Sequence, residues 1–196
     1  MLKLALLSFA GLCLSSAVSA ASCPDKADLD QGIVLTRDAP SFISVFRRDG
    51  AGLSERRESR GQVVHSRLSH ALMTTERWEE GRDNHMALTI DVSPGEVENL
   101  RPGRQMQRDV TLRFSDGTEV PGRVTWKMIR NTFVHIGDCR YSARQIHERM
   151  DFEDMNPIRM VQFYAPDVGL VLRSITVDAD WKPLREVQFD QIAVLP

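Results

Sequence analysis

The side chains best suited to chemistry are five histidines, a late acidic stretch and one cysteine lying among them. His135, Asp138, Cys139 and His147 are all types that ligate zinc, which takes N, S and O donors in tetrahedral geometry. Their spacing works against a shared ion. His135 and Cys139 are four residues apart, so on a strand rising about 3.3 Å per residue they stand roughly 13 Å apart unless the chain turns at Gly137. Cys139 near His135 or His147 also suggests thiol catalysis, which requires a free thiol within reach of a base. Asp151, Glu153 and Asp154 supply carboxylates for acid and base roles, but a short acidic stretch is also the ordinary make-up of a solvated loop. His65 and His70 are separated by an odd number and face opposite sides of a continuous strand. The sequence contains no G-x-S-x-G elbow, S-x-x-K pair, H-E-x-x-H helix or glycine-rich phosphate loop. The expectation is a protein that is not an enzyme, with no metal site and no cofactor.

Charge narrows the class further. The formal net charge of −2 leaves no basic excess to displace counterions from phosphates, so nucleic acid is not an expected partner. Arginine outnumbers lysine 21 to 4, which suits planar recognition of carboxylate or phosphate. The densest group, Arg47, Arg48, Arg56, Arg57 and Arg60, is interleaved with Asp49, Glu55 and Glu58 and reads either as an anion contact or as a solvated face.

The first twenty residues carry an export signal. Lys3 is the positive start, Leu4 to Leu14 form an apolar run of 11, and Val18-Ser19-Ala20 supplies the small residues a signal peptidase needs. A run of 11 is too short to span a bilayer, which needs about 20 apolar residues, and no transmembrane span is expected elsewhere. Residues 1–20 are thus expected to be cleaved near Ala20, leaving 21–196 as one periplasmic or secreted domain. Cleavage removes Cys13 and leaves Cys23 and Cys139, an even pair whose simplest fate in an oxidising compartment is one disulfide. Ala20-Ala21-Ser22-Cys23 also approximates a lipobox, which would instead acylate Cys23 and anchor the protein to the outer membrane.

Behind the leader the dominant period is two. Val110, Leu112 and Phe114 alternate with polar residues, Ser115-Asp116-Gly117-Thr118 intervenes, and Val124, Trp126 and Met128 alternate again. Asp116-Gly117 predicts a type I′ hairpin, and Pro121-Gly122 a kink or bulge in its second strand. Further strands are expected over Gly32 to Arg37, Phe42 to Arg47, Val63 to Trp78 (one or two), Met86 to Val92, Thr132 to Gly137, Ile158 to Tyr164, Gly169 to Val177 and Leu184 to Val194. About nine or ten strands with short turns and no βαβ rhythm make a mainly β fold, a strongly curved antiparallel half-barrel meander with one or two short helices. Ser93-Pro94-Gly95-Glu96 is a capping box that opens one such helix. Ser142-Ala143-Arg144-Gln145 is a second, and residues 142–154 read either as helix or as a continuing strand.

Tyr164-Ala165-Pro166-Asp167-Val168-Gly169-Leu170-Val171-Leu172-Arg173 resembles the Y-x-P-(E/D)-x-G-L-V-x-R turn of uncharacterised secreted bacterial proteins akin to the LolA/LolB group. The stretch Phe133 to Tyr141 is similar to their cysteine-bearing strand. The resemblance covers the C-terminal third and implies an unclosed barrel whose concave side holds a lipid or a lipoprotein acyl chain. On that reading the concave face of the sheet, with Val124, Trp126, Met128, Met160 and Leu172, binds an apolar ligand. The alternative is a structural or protein-interaction subunit of an envelope assembly, with a filled core and another envelope protein as partner.

Overall fold

The computed structural model describes residues 22–196, so the predicted leader lies outside the described residues. Among the described residues, thirteen antiparallel strands form one sheet. In chain order they are β1 (Ile33–Arg37), β2 (Phe42–Asp49), β3 (Gly52–Ser59), β4 (Gln62–His70), β5 (Met73–Glu79), β6 (Met86–Ile90) and β7 (Gln105–Phe114). There follow β8 (Glu119–Ile136), β9 (Cys139–Phe152), β10 (Ile158–Ala165), β11 (Leu170–Val177), β12 (Pro183–Gln188) and β13 (Gln191–Val194). A 3-10 turn, Lys26–Asp30, precedes β1, and a short helix, α1 (Pro94–Glu98), links β6 to β7. The expected mainly β meander is therefore present, with more strands than the nine or ten anticipated.

The extra strands have simple origins. Val63 to Trp78 breaks at Ala71-Leu72 into β4 and β5, and Leu184 to Val194 breaks at Phe189-Asp190 into β12 and β13. β3 was not anticipated, because its alternation is charged: Glu55 and Arg57 share a face with Leu53. Residues 142–154 are strand through Phe152, not helix. Ladders to β8 on one side and β10 on the other satisfy the backbone of β9, which outweighs a capping box worth about 1 kcal/mol.

The order runs β12-β11-β10 and so on down to β1, then β13, so consecutive strands β12 and β13 lie at opposite edges. Only Phe189 and Asp190 separate them, and two residues reach about 10 Å at most between the flanking strands. The two edges therefore approach each other at that corner without pairing as a ladder, and the sheet is the strongly curved, open one expected. Contacts at that corner agree: Arg37 Nη1 donates to the Glu186 carbonyl at 2.7 Å, and the rings of Phe42 and Phe189 lie 5.6 Å apart.

Two local predictions need correction. The β7–β8 hairpin does not close with a type I′ turn. Gly117 has φ +85°, Asp116 is not at positive φ, and Gly117 N–H bonds the Phe114 carbonyl at 3.0 Å. This is a type I turn followed by a glycine bulge, with the Asp116 carboxylate accepting the Thr118 N–H at 2.8 Å. Nor does Pro121-Gly122 kink β8: the register with β7 is unbroken from Glu119 to Lys127. The Pro121 carbonyl accepts from Glu153 just past the end of β9, so its missing N–H falls where no ladder partner is required. The bulge in β8 sits instead between Met128 and Arg130.

The Pro166–Gly169 turn docks the 3-10 segment. Lys26 N–H donates to the Asp167 carbonyl at 2.8 Å, and Leu29, Val168 and Leu170 are fully buried together. Cys23 and Cys139 form the expected disulfide, with Cα atoms 5.6 Å apart, tying the N-terminal segment to the tip of the β8–β9 hairpin.

Candidate functional site

Strand alternation decides which side chains enter the barrel. One cross-strand row passes through Phe46, Glu55, Ser66, Arg77 and Met86, each paired with the next from β2 to β6. Another passes through Met106, Trp126, Glu148, Met160 and Thr176 from β7 to β11. Phe46, Glu55 and Arg77 from the first row and Trp126, Glu148 and Met160 from the second line one interior cavity of about 250 Å³. Leu88, Ile90, Met150 and Val187 extend its apolar wall.

Four ionisable side chains stand on this wall: Glu55, Arg57, Arg77 and Glu148. The Glu55 carboxylate accepts from Ser44 Oγ at 2.8 Å and from Arg57 Nη2 at 2.8 Å. The Arg57 guanidinium also packs 4.8 Å from the centre of the Phe42 ring. Glu148 is only 1% exposed and accepts a hydrogen bond from the Gln162 amide. Burial without a cation partner pushes its carboxyl up to about 8, so at neutral pH it holds its proton. Arg77 differs from the other three: among the described residues it has neither an ion pair nor a hydrogen bond, although it stays accessible. Burial lowers its pKa, Glu55 opposes that and Arg57 adds to it. The indole N–H of Trp126, buried to 1% exposure, also has no hydrogen-bond partner among the described residues.

The residues expected to form the site divide between wall and packing. Val124, Trp126 and Met160 line the cavity. Met128 and Leu172 are buried, but neither is on its wall. Of the polar wall residues, Glu55 and Arg57 come from the mixed-charge group read as an anion contact or a solvated face, while Arg77, Glu148 and Gln162 were not singled out. One signal existed for Glu148: Ile146 and Met150 flank it at a period of two, so any strand there turns the carboxyl inward with them.

The histidines and carboxylates that suggested chemistry are dispersed. The chain does turn at Gly137, but the sulfur of Cys139 is consumed by Cys23. His147 stacks on Trp181 with ring centres 4.2 Å apart, and His65 stacks on Trp78 at 5.1 Å. Among the described residues no three His, Cys, Asp or Glu side chains converge as a metal site would require.

His70 belongs to a separate cluster that clamps α1. The helix starts at the predicted capping box, with the Ser93 N–H donating to the Glu96 carboxylate at 2.9 Å. At its end Glu98 accepts from Tyr164 Oη at 3.1 Å and from Lys26 Nζ at 3.4 Å, and His70 Nε2 lies 3.6 Å away. Arg144 donates to the Glu98 carbonyl. Burial acts to raise the Glu98 pKa, but Tyr164, Lys26 and His70 outweigh it and hold the carboxyl low. Burial lowers His70 despite Glu98, so the imidazole is neutral at pH 7. The cluster joins helix, barrel and N-terminal turn.

No protein-family model matches the sequence, and no curated protein matches it. Solved structures do. The crystal structure of the hypothetical lipoprotein YmcC from Escherichia coli aligns at a TM-score of 0.52 and 11% identity, covering 88% of this chain and 89% of that one. The chain shares the YmcC fold. A putative exported protein with a YmcC-like fold from Bacteroides fragilis aligns at a TM-score of 0.47 and 11% identity, over 87% of this chain and 98% of that one. The likeness supports a fold found in an uncharacterised lipoprotein. It brings no match specific to the LolA/LolB group.

Proposed function

We propose that this chain is an exported, non-enzymatic envelope protein that holds a small apolar or amphiphilic ligand inside its barrel. The observation that carries the reading is the interior cavity of about 250 Å³ with mostly apolar walls. A cavity of about 150 Å³ already takes up benzene, whereas drug-sized ligands occupy about 300–1,000 Å³. The occupant is therefore a ring or a short chain, smaller than a whole lipid. Export is supported by the leader-like residues 1–20 and by the Cys23–Cys139 disulfide, which persists only where thiols are not kept reduced. A sulfur held in that bond is not open to acylation, which favours a soluble mature protein over a lipid-anchored one. The non-enzymatic part is supported by the wall chemistry: Glu55 is already engaged by Arg57 and Ser44, and burial favours the protonated form of Glu148. The competing reading, an assembly subunit with a filled core, is disfavoured by the same cavity.

Native mass spectrometry of protein purified from the periplasm, followed by titration with short-chain amphiphiles, tests the proposal. A co-purified small molecule or saturable binding of the amphiphiles is expected. Absence of both would refute it, and a mature N-terminus at an acylated Cys23 would refute the soluble form.

A further inference from the structure

We propose that the cavity is selective for a monoanion: a small carboxylate whose head is held by Arg77 and whose apolar part packs against Trp126, Leu88, Ile90 and Met160. This rests on the reading of the interior as a ligand cavity and adds the charge of the ligand and the residue that recognises it.

The charges on the wall do not balance. Arg57 and Glu55 cancel as a pair at 2.8 Å. Glu148 is enclosed and neutral at pH 7, so it offers no counter-charge. Arg77 remains, and an arginine keeps its proton in any protein environment. The wall therefore carries one net positive charge on a guanidinium that has no hydrogen-bond or ion-pair partner among the described residues. The guanidinium is exposed at the cavity wall rather than enclosed, so it is reachable by an incoming anion and not already engaged by the protein. A carboxylate satisfies it with two parallel hydrogen bonds, the geometry for which the guanidinium fork is built.

Two further features fit the same ligand. A phosphate monoester carries about −1.5 to −2 at pH 7 and would overshoot the single charge, while a carboxylate matches it. A cationic amphiphile would face Arg77 with no ionised carboxylate free to receive it, since Glu55 is already occupied.

The test is calorimetric titration of the folded, disulfide-intact protein near pH 6.5 with two matched pairs, hexanoate against hexanol and benzoate against benzyl alcohol. Wild type should bind each acid at least about ten-fold more tightly than its alcohol, the scale of one charge-assisted hydrogen bond. Arg77→Gln should lose that preference and still bind the alcohols, which also shows that the variant is folded with its cavity intact. Arg77→Lys, which keeps the charge without the fork, should retain part of it. Equal binding of acid and alcohol by wild type would overturn the anion site and leave the cavity reading standing. A preference that survives Arg77→Gln would overturn the role of Arg77. Binding of none of the four compounds would overturn the cavity reading itself.

Discussion

Replacing Glu148 by glutamine should stabilise the protein, and by more as the solution becomes more alkaline. The carboxyl is 1% exposed, and burial moves its pKa from 4.5 to about 8. Below about pH 4.5 both folded and unfolded chains hold the proton, and Glu148 adds no pH dependence. Between about 4.5 and 8 only the unfolded chain releases it, so the folded state loses about 1.4 kcal/mol of stability per pH unit. Above about 8 both states are ionised and the loss levels off. The full window is worth on the order of 5 kcal/mol, and the interval from pH 5 to pH 8 about 4 kcal/mol. The groups facing the carboxyl are the Gln162 amide, its cross-strand neighbours Trp126 and Met160, and Glu55, Arg57 and Arg77 elsewhere on the cavity wall. Glutamine keeps the shape and the contact with Gln162 and cannot ionise. Urea unfolding of wild type and Glu148→Gln at about pH 5, 6.5 and 8 reads the difference directly. The gap in favour of the variant should widen by about 3–4 kcal/mol over that range. A gap that stays constant to within about 1 kcal/mol would show that the carboxyl is hydrated or paired in solution, and the argument from burial would be wrong.

Trp126→Ala should lower the unfolding free energy by about 3–5 kcal/mol and weaken amphiphile binding as well, because the indole is both core and cavity wall; denaturation and titration of one variant check both. Removing the disulfide with Cys139→Ser should cost about 2–5 kcal/mol, since the bond spans 116 residues and restrains the unfolded chain, and chemical unfolding with intact and reduced wild type as controls measures it. Gly122→Ala should destabilise by about 1–3 kcal/mol, because a Cβ there would stand 2.5 Å from both the Asp151 carbonyl and the Phe152 ring; an unchanged melting temperature would mean that β9 does not approach so closely.

The polar interior shows where reading the chain in one dimension stops. Alternation identifies residues that share a face, which was enough to place Val124 and Trp126 inside. It does not say which face of a charged strand is the inner one. In β3 the Glu55 and Arg57 side chains alternate with Ser54, Arg56 and Glu58, so both faces are equally polar in the sequence. Only pairing with β2, which sets Ser44 opposite Arg57 and Phe46 opposite Glu55, makes the odd-numbered face the inner one. Arg77 joins the same cross-strand row through its pairing with Ser66, although it stays exposed at the cavity wall.

What the sequence determined by itself is what short-range physics controls. The period of two set the β class, the capping box at Ser93 set α1, and placing Cys13 in an expected leader pointed to Cys23 and Cys139 as the pair. Glycine at 117 marked the hairpin, although the turn is a type I with a bulge. What only the tertiary structure decided is what depends on partners distant in sequence. Residues 139–152 became strand because two neighbouring strands complete their hydrogen bonds. The sheet curved until its two edges approach because Phe189 and Asp190 must bridge them. Glu148 became a neutral acid because the curved sheet withdraws it from water, and the cost of ionising a carboxyl is set by everything around it and by nothing in its own segment.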